Sequence, residues 1–173
     1  MRILVAGIGN ILHGDDAFGV EVAACLARRT LPEGVRVVDF GIRGFDLAYA
    51  LLDGYDATIM VDAAAGGEPP GSIYTMEIDP NTPSTMDEPR IDVATHGMNP
   101  MRVLQMAQAM GGCLGRILLV GCEPETLGTD EDGMMGLSDT VAAAVDRGAD
   151  AVEELVAKLL EESRNASDTG AAA

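Results

Sequence analysis

The chain has 173 residues, 47% of them hydrophobic, and carries 28 acidic against 11 basic side chains for a formal net charge of −17. That length and apolar content suit one globular domain with a real core and exclude a disordered chain. The acidic excess argues against nucleic acid or an anionic membrane surface as a partner.

Residues 3–6, Ile-Leu-Val-Ala, form a continuous apolar run that reads as a strand buried on both faces. Gly7, Gly9 and Gly14 break it into a tight loop, and Asp15 and Asp16 then open a helix with Val20, Ala23, Ala24 and Ala27 on its apolar face. After a turn at 31–34, residues 35–39 read as a second strand ending at Asp39, followed by a short helix over 45–52. Residues 57–61 read as a third buried strand ending directly in Asp62, and 72–78 as a fourth strand at an edge. The stretch 79–90, rich in Pro, Asp, Thr and Ser, predicts a mobile loop.

His96 precedes Asn99-Pro100, a cap and first-turn proline pair that starts a helix. Val103, Ala107 and Met110 give that helix its apolar face, and Gly111-Gly112 stop it. Residues 117–120 read as a fifth buried strand, followed by Gly121-Cys122-Glu123-Pro124-Glu125 and an acidic loop over 129–136. Ser138 caps the last helix, whose Val141, Val145, Val152, Leu155, Val156 and Leu159 face inward. Gly148 weakens that helix by about 1 kcal/mol relative to alanine. Residues 1–162 form a single domain, and the polar stretch 163–173 reads as a disordered tail. Strands alternating with helices predict an α/β/α sandwich with a largely parallel sheet.

Cys25, Cys113 and Cys122 form an odd set without C-x-x-C spacing, which argues for a reducing compartment and against a structural zinc. The N-terminal apolar run ends in glycines with no cleavage-site pattern, so it does not read as a signal peptide. No stretch approaches the ~18 apolar residues of a membrane span. The expectation is a cytoplasmic protein without membrane insertion.

In such sheets ligands bind beyond the carboxyl ends of the strands. Asp15, Asp16, Asp39, Asp62 and Glu123 all follow or end strands at that end. Gly7-x-Gly9 with Asp39 has the outline of a dinucleotide-binding turn. Leu12, however, stands where the third glycine belongs, and Asp15 and Asp16 occupy the helix start that a pyrophosphate would need. An N-cap would explain one aspartate; a cation site uses both. An aspartate ending the run 58–61 would cost free energy if buried and unpaired, or else it caps a loop.

His96 lies just before a helix N-terminus, whose positive end favours the neutral imidazole that binds metal. His13 is a rival ligand, expected in an exposed loop. Two carboxylates and one imidazole suit Ni²⁺, Zn²⁺ or Mn²⁺ with open positions. A serine or cysteine protease is a poor reading: there is no Gly-x-Ser-x-Gly elbow, and Cys122 has no evident base partner.

The run Gly7-Ile-Gly-Asn-Ile-Leu-His-Gly-Asp-Asp-Ala-Phe-Gly19 resembles the N-terminal signature of the hydrogenase maturation proteases, endopeptidases that trim the C-terminal extension from the large subunit of [NiFe] hydrogenases. The likeness continues through Asp39-Phe-Gly-Ile-Arg-Gly44, Asp62, His96, Gly121-Cys-Glu-Pro124 and Gly136-Leu-Ser138, from residue 2 to about residue 160. It implies a three-layer α/β/α sandwich with a five-stranded mixed sheet, order 2-1-3-5-4, strand four antiparallel.

It also implies a metal site at Asp16, Asp62 and His96, filled by nickel that the large-subunit precursor supplies, though the site would accept other divalent metals. Some relatives carry glutamate where this chain has Asp16, and the shorter arm would draw the metal closer or let water fill the gap. Asp39 would position water or shuttle a proton, with Glu123 a lesser candidate. The alternative is a nickel-site chaperone that holds the precursor without cutting it.

Overall fold

Which strands sit in the middle of the sheet follows from where the apolar residues are continuous. β1 (Ile3–Ile8) and β3 (Ala57–Ala63) are buried at every residue, and β5 (Arg116–Cys122) at all but its first. β2 (Val35–Gly41) and β4 (Ile73–Ile78) mix exposed with partly buried positions, as edge strands do. The computed structural model, which describes residues 1–79, 98–128 and 133–170, orders them β2-β1-β3-β5-β4 in one five-stranded sheet. β1 runs parallel to β2 and β3, and β3 parallel to β5; only β4 is antiparallel to its neighbour, β5. This is the topology the resemblance implies.

Alternation along the strands divides the core in two. Ile3 and Val5 pack under α1 (Phe18–Leu26) and α5 (Val145–Gly170), while Leu4, Ala6 and Ile8 pack under α2 (Gly44–Leu51) and α3 (Pro100–Ala109). The result is the three-layer sandwich. No helix among the described residues is long and apolar enough to cross a membrane.

Several local expectations are corrected. The buried face of α1 carries Phe18, Val22, Ala23, Cys25 and Leu26; of the four residues expected there Ala23 is buried, Val20 is partly buried, and Ala24 and Ala27 are exposed. Bulky side chains bury more apolar area than an alanine stripe, so they set the rotation of the helix. On α3 the inward residues are Val103, Leu104 and Ala107, and Met110 is exposed at the C-cap. Ser138 caps a four-residue helix, α4 (Asp139–Ala142), and the chain breaks at 143–144 before α5 begins. Gly148 then meets the ring of Phe18: a Cβ there would lie 2.6 Å from Phe18 Cζ. The glycine that propensity marks as a weakness is what lets α5 approach α1.

α5 also continues to Gly170, past the boundary expected at 162. Adding residues to an existing helix needs only one new bond each, and the polar side chains bond back along it. Arg164 Nε donates to the Leu160 carbonyl and Ser167 Oγ to the Ser163 carbonyl. The loop expected over 79–90, apart from Asp79, together with His96 and part of the acidic loop 129–136, lies outside the described residues.

Candidate metal centre at the strand ends

β1 and β3 lie side by side, with Gly7 paired to Val61, so Asp62 stands one residue beyond the last pair. Glycines bring the helix start down onto these strand ends. A Cβ on Gly9 would lie 1.7 Å from the Asp16 carbonyl oxygen, and one on Gly19 would lie 2.0 Å from the Val61 carbonyl oxygen. The tight 3-10 turn 15–17 therefore rests directly on the sheet. No other residue type at 9 or 19 permits that approach.

Adjacent in sequence, Asp15 and Asp16 do different work. Asp15 is fully buried: its Oδ2 accepts from Glu125 N at 2.9 Å, Thr126 N at 2.8 Å and Ser138 Oγ at 3.0 Å, and its Oδ1 from Ser138 N at 2.7 Å. Ser138 Oγ in turn accepts from Val141 N, capping α4. Both oxygens of Asp15 are thus committed to fastening Glu125, Thr126 and Ser138, which corrects the expectation that a cation site uses both aspartates.

Asp16 turns the other way, its Oδ2 accepting from Asn10 N at 2.6 Å, and it is 4% exposed. Asp62 is 3% exposed. Burial pushes its pKa well above the usual carboxylate range, and the charge of Asp16 pushes it further, against a smaller opposing bond from the backbone of Ala63. Two buried carboxylates that repel one another favour uptake of a proton or a cation between them.

The remaining candidates have other surroundings. His13 is buried, not exposed: its backbone bridges to Met134, its carbonyl accepts from Gly128 N at 3.1 Å, and a Cβ on Gly128 would come within 2.9 Å of His13 Cα. Asp39 is exposed on the edge strand β2, and its carbonyl accepts from Arg43 Nη2. By alternation it shares a face with Val35 and Val37 on the α1/α5 side, whereas Asp62 shares a face with Met60 on the α2/α3 side. Glu123 Oε2 accepts from Gly66 N at 2.6 Å and Glu68 N at 3.2 Å, bracing the loop after β3.

Cys122 is buried and its thiol is pushed up to about 12, chiefly by burial, which leaves it no nucleophilic role at neutral pH. His96 lies outside the described residues. The chain after it enters beside α2, with Met98 Sδ 3.0 Å from where a Gly44 Cβ would be, and Asn99 caps α3 by accepting from Met101 N and Arg102 N. Among the described residues no three His, Cys, Asp or Glu side chains are grouped to hold a metal. Asp16 and Asp62 supply two hard oxygen donors, which suit a divalent cation and leave it to further donors to complete the shell.

One neighbour went unread in the sequence. Tyr74 on β4 has its ring over Gly121 and donates from its hydroxyl to the Ala64 carbonyl at 2.7 Å. Burial first, then the charges of Glu123 and Asp62, hold its pKa above the ordinary phenol value. The available signal was Gly121, since a glycine inside a buried strand marks close approach by another group.

Fold and site together define a small α/β protein: a mixed five-stranded sandwich with a buried carboxylate pair at the carboxyl ends of its central strands. The sequence profile of the hydrogenase maturation protease family matches residues 20–156. The hydrogenase expression/formation protein HupD of Rhodobacter capsulatus is 36% identical over 168 residues, covering 96% of this chain and 77% of that protein. The hydrogenase 2 maturation protease of Escherichia coli is 31% identical, covering 93% and 92%. The solved structure of the hydrogenase maturating endopeptidase HybD from Escherichia coli superposes with a TM-score of 0.71 at 28% identity, over 91% of this chain and 93% of that one. The chain belongs to the hydrogenase maturation protease family, and so to the peptidases.

Proposed function

We propose that this protein removes the C-terminal extension of a [NiFe] hydrogenase large-subunit precursor once nickel has been inserted, and that it recognises the nickel through Asp16, Asp62 and His96. The observation that carries the reading is the buried pair Asp16 and Asp62, whose mutual repulsion one divalent cation would relieve. The pair stands at the end of the sheet where ligands of open α/β folds bind. Because the cation arrives with the client, the pocket is completed only by a loaded precursor, and cleavage becomes a check on metal insertion. A cation held there supplies polarisation of the scissile carbonyl or of an attacking water. The chain's own part is to orient two carboxylates and exclude bulk water from them.

The test is to incubate the protein with nickel-loaded and nickel-free precursor and to weigh the large subunit afterwards. Loss of a C-terminal peptide only from the loaded form supports the proposal. Stable binding of the loaded precursor with no change of mass would replace it with a chaperone role.

A further inference from the structure

Asp62 on β3, Gly121 on β5 and Tyr74 on β4 lie in one row across the sheet, paired Asp62 to Gly121 and Gly121 to Tyr74. Directly paired residues project from the same face of a sheet. The middle position has no side chain, and the space is taken by the phenol: a Cβ on Gly121 would lie 2.3–2.5 Å from Tyr74 Cζ, Cε2 and the hydroxyl oxygen. The far end of the ring therefore crosses a whole strand towards Asp62. Its hydroxyl then reaches the exit of β3, donating to Ala64 O at 2.7 Å, while Ala64 N donates to the Cys122 carbonyl at 3.0 Å.

We propose that Tyr74 is a positioning residue for the peptidase site: its ring, laid over Gly121, walls the β4 side of Asp62, and its hydroxyl fixes the backbone just after that aspartate. The inference rests on the reading of Asp62 as a ligand for the substrate's cation. With the wall in place the carboxylate cannot swing towards β4 into water, so its oxygens stay where a cation meets them. Groups that orient a metal ligand typically change metal affinity about 10–100-fold when removed.

The experiment titrates Ni²⁺ alone into the metal-free full-length protein by calorimetry, well below its melting temperature, and follows kcat and KM on nickel-loaded precursor. Tyr74→Phe keeps the ring and is expected to bind within about threefold of wild type, since only one neutral hydrogen bond is lost. Tyr74→Ser removes the wall and is expected to bind about tenfold more weakly or worse. Gly121→Ala displaces the ring while leaving the tyrosine, and is expected to move affinity and KM in the same direction.

A merely structural tyrosine would lower the melting temperature of these variants and leave the titration unchanged. Wild-type affinity in both Tyr74→Ser and Gly121→Ala overturns the inference, and Gly121→Ala decides alone if Tyr74→Ser does not fold. A wild-type protein that neither binds Ni²⁺ nor cuts loaded precursor overturns the reading of the site beneath it.

Discussion

The two adjacent aspartates should respond to substitution in opposite ways. Asp15 accepts three backbone N–H groups and one hydroxyl with no exposure to water. Hydrogen bonds to a charged group contribute about 1.5–3 kcal/mol each, and orphaned buried donors cost about 1–3 kcal/mol. The four bonds share one carboxylate and are not additive, so Asp15→Ala should cost about 3–5 kcal/mol. At about 2–4 °C per kcal/mol for a domain of this size, the melting temperature should fall by roughly 10 °C.

Asp15→Asn should cost less, about 1–3 kcal/mol: its carbonyl can take the three contacts made by Oδ2, but its amide would face the N–H of Ser138. Asp16→Asn keeps an acceptor for Asn10 N and removes the charge that repels Asp62, so the metal-free protein should be no less stable than wild type, while processing of loaded precursor is lost. Thermal melts of the three variants decide it. Asp15→Ala melting within about 1 °C of wild type, or Asp16→Asn falling as far as Asp15→Ala, would refute the division of labour.

Three further outcomes follow from named contacts. Native Asp62 holds its proton more tightly than the unfolded chain does, so the metal-free protein gains stability as pH falls from neutral towards the ordinary carboxylate range and loses it as pH rises. Urea midpoints at about pH 5 and about pH 7.5 should show this slope, and Asp62→Asn should reduce it. Gly148→Ala should destabilise by about 1–3 kcal/mol although alanine is the better helix former, because its Cβ would strike Phe18; urea melts check the sign. Of the cysteines, exposed Cys113 should react with a thiol reagent at once in the native state. Cys122, at about 12, should react only on unfolding, as timed labelling with mass readout would show.

The apolar runs of β1, β3 and β5 were legible because strands buried on both faces read as unbroken hydrophobic stretches. The edge position of β4 was legible from its alternation. What local pattern could not reveal was partnership across long separations. The partners of Asp15 are Glu125, Thr126 and Ser138, 110, 111 and 123 residues away, so nothing within the Gly-Asp-Asp loop distinguishes a fastening carboxylate from a metal-seeking one. His13 reads as a loop residue because the segment that buries it arrives more than a hundred residues later. Gly148 looked like a flaw in a helix because the ring it admits belongs to α1. The break at 143–144 was likewise hidden, since Val141 and Val145 keep helical spacing across it.

In the proposed function, residues 16, 62 and 96 converge on one cation. The most direct test is a crystal of the protein grown with Ni²⁺ and measured for anomalous scattering. The expected map has a single peak with oxygens of Asp16 and Asp62 roughly 2.0–2.2 Å away and a nitrogen of His96 roughly 2.0–2.1 Å away. A peak bound elsewhere, or a map in which those three side chains point to separate surfaces, would contradict it.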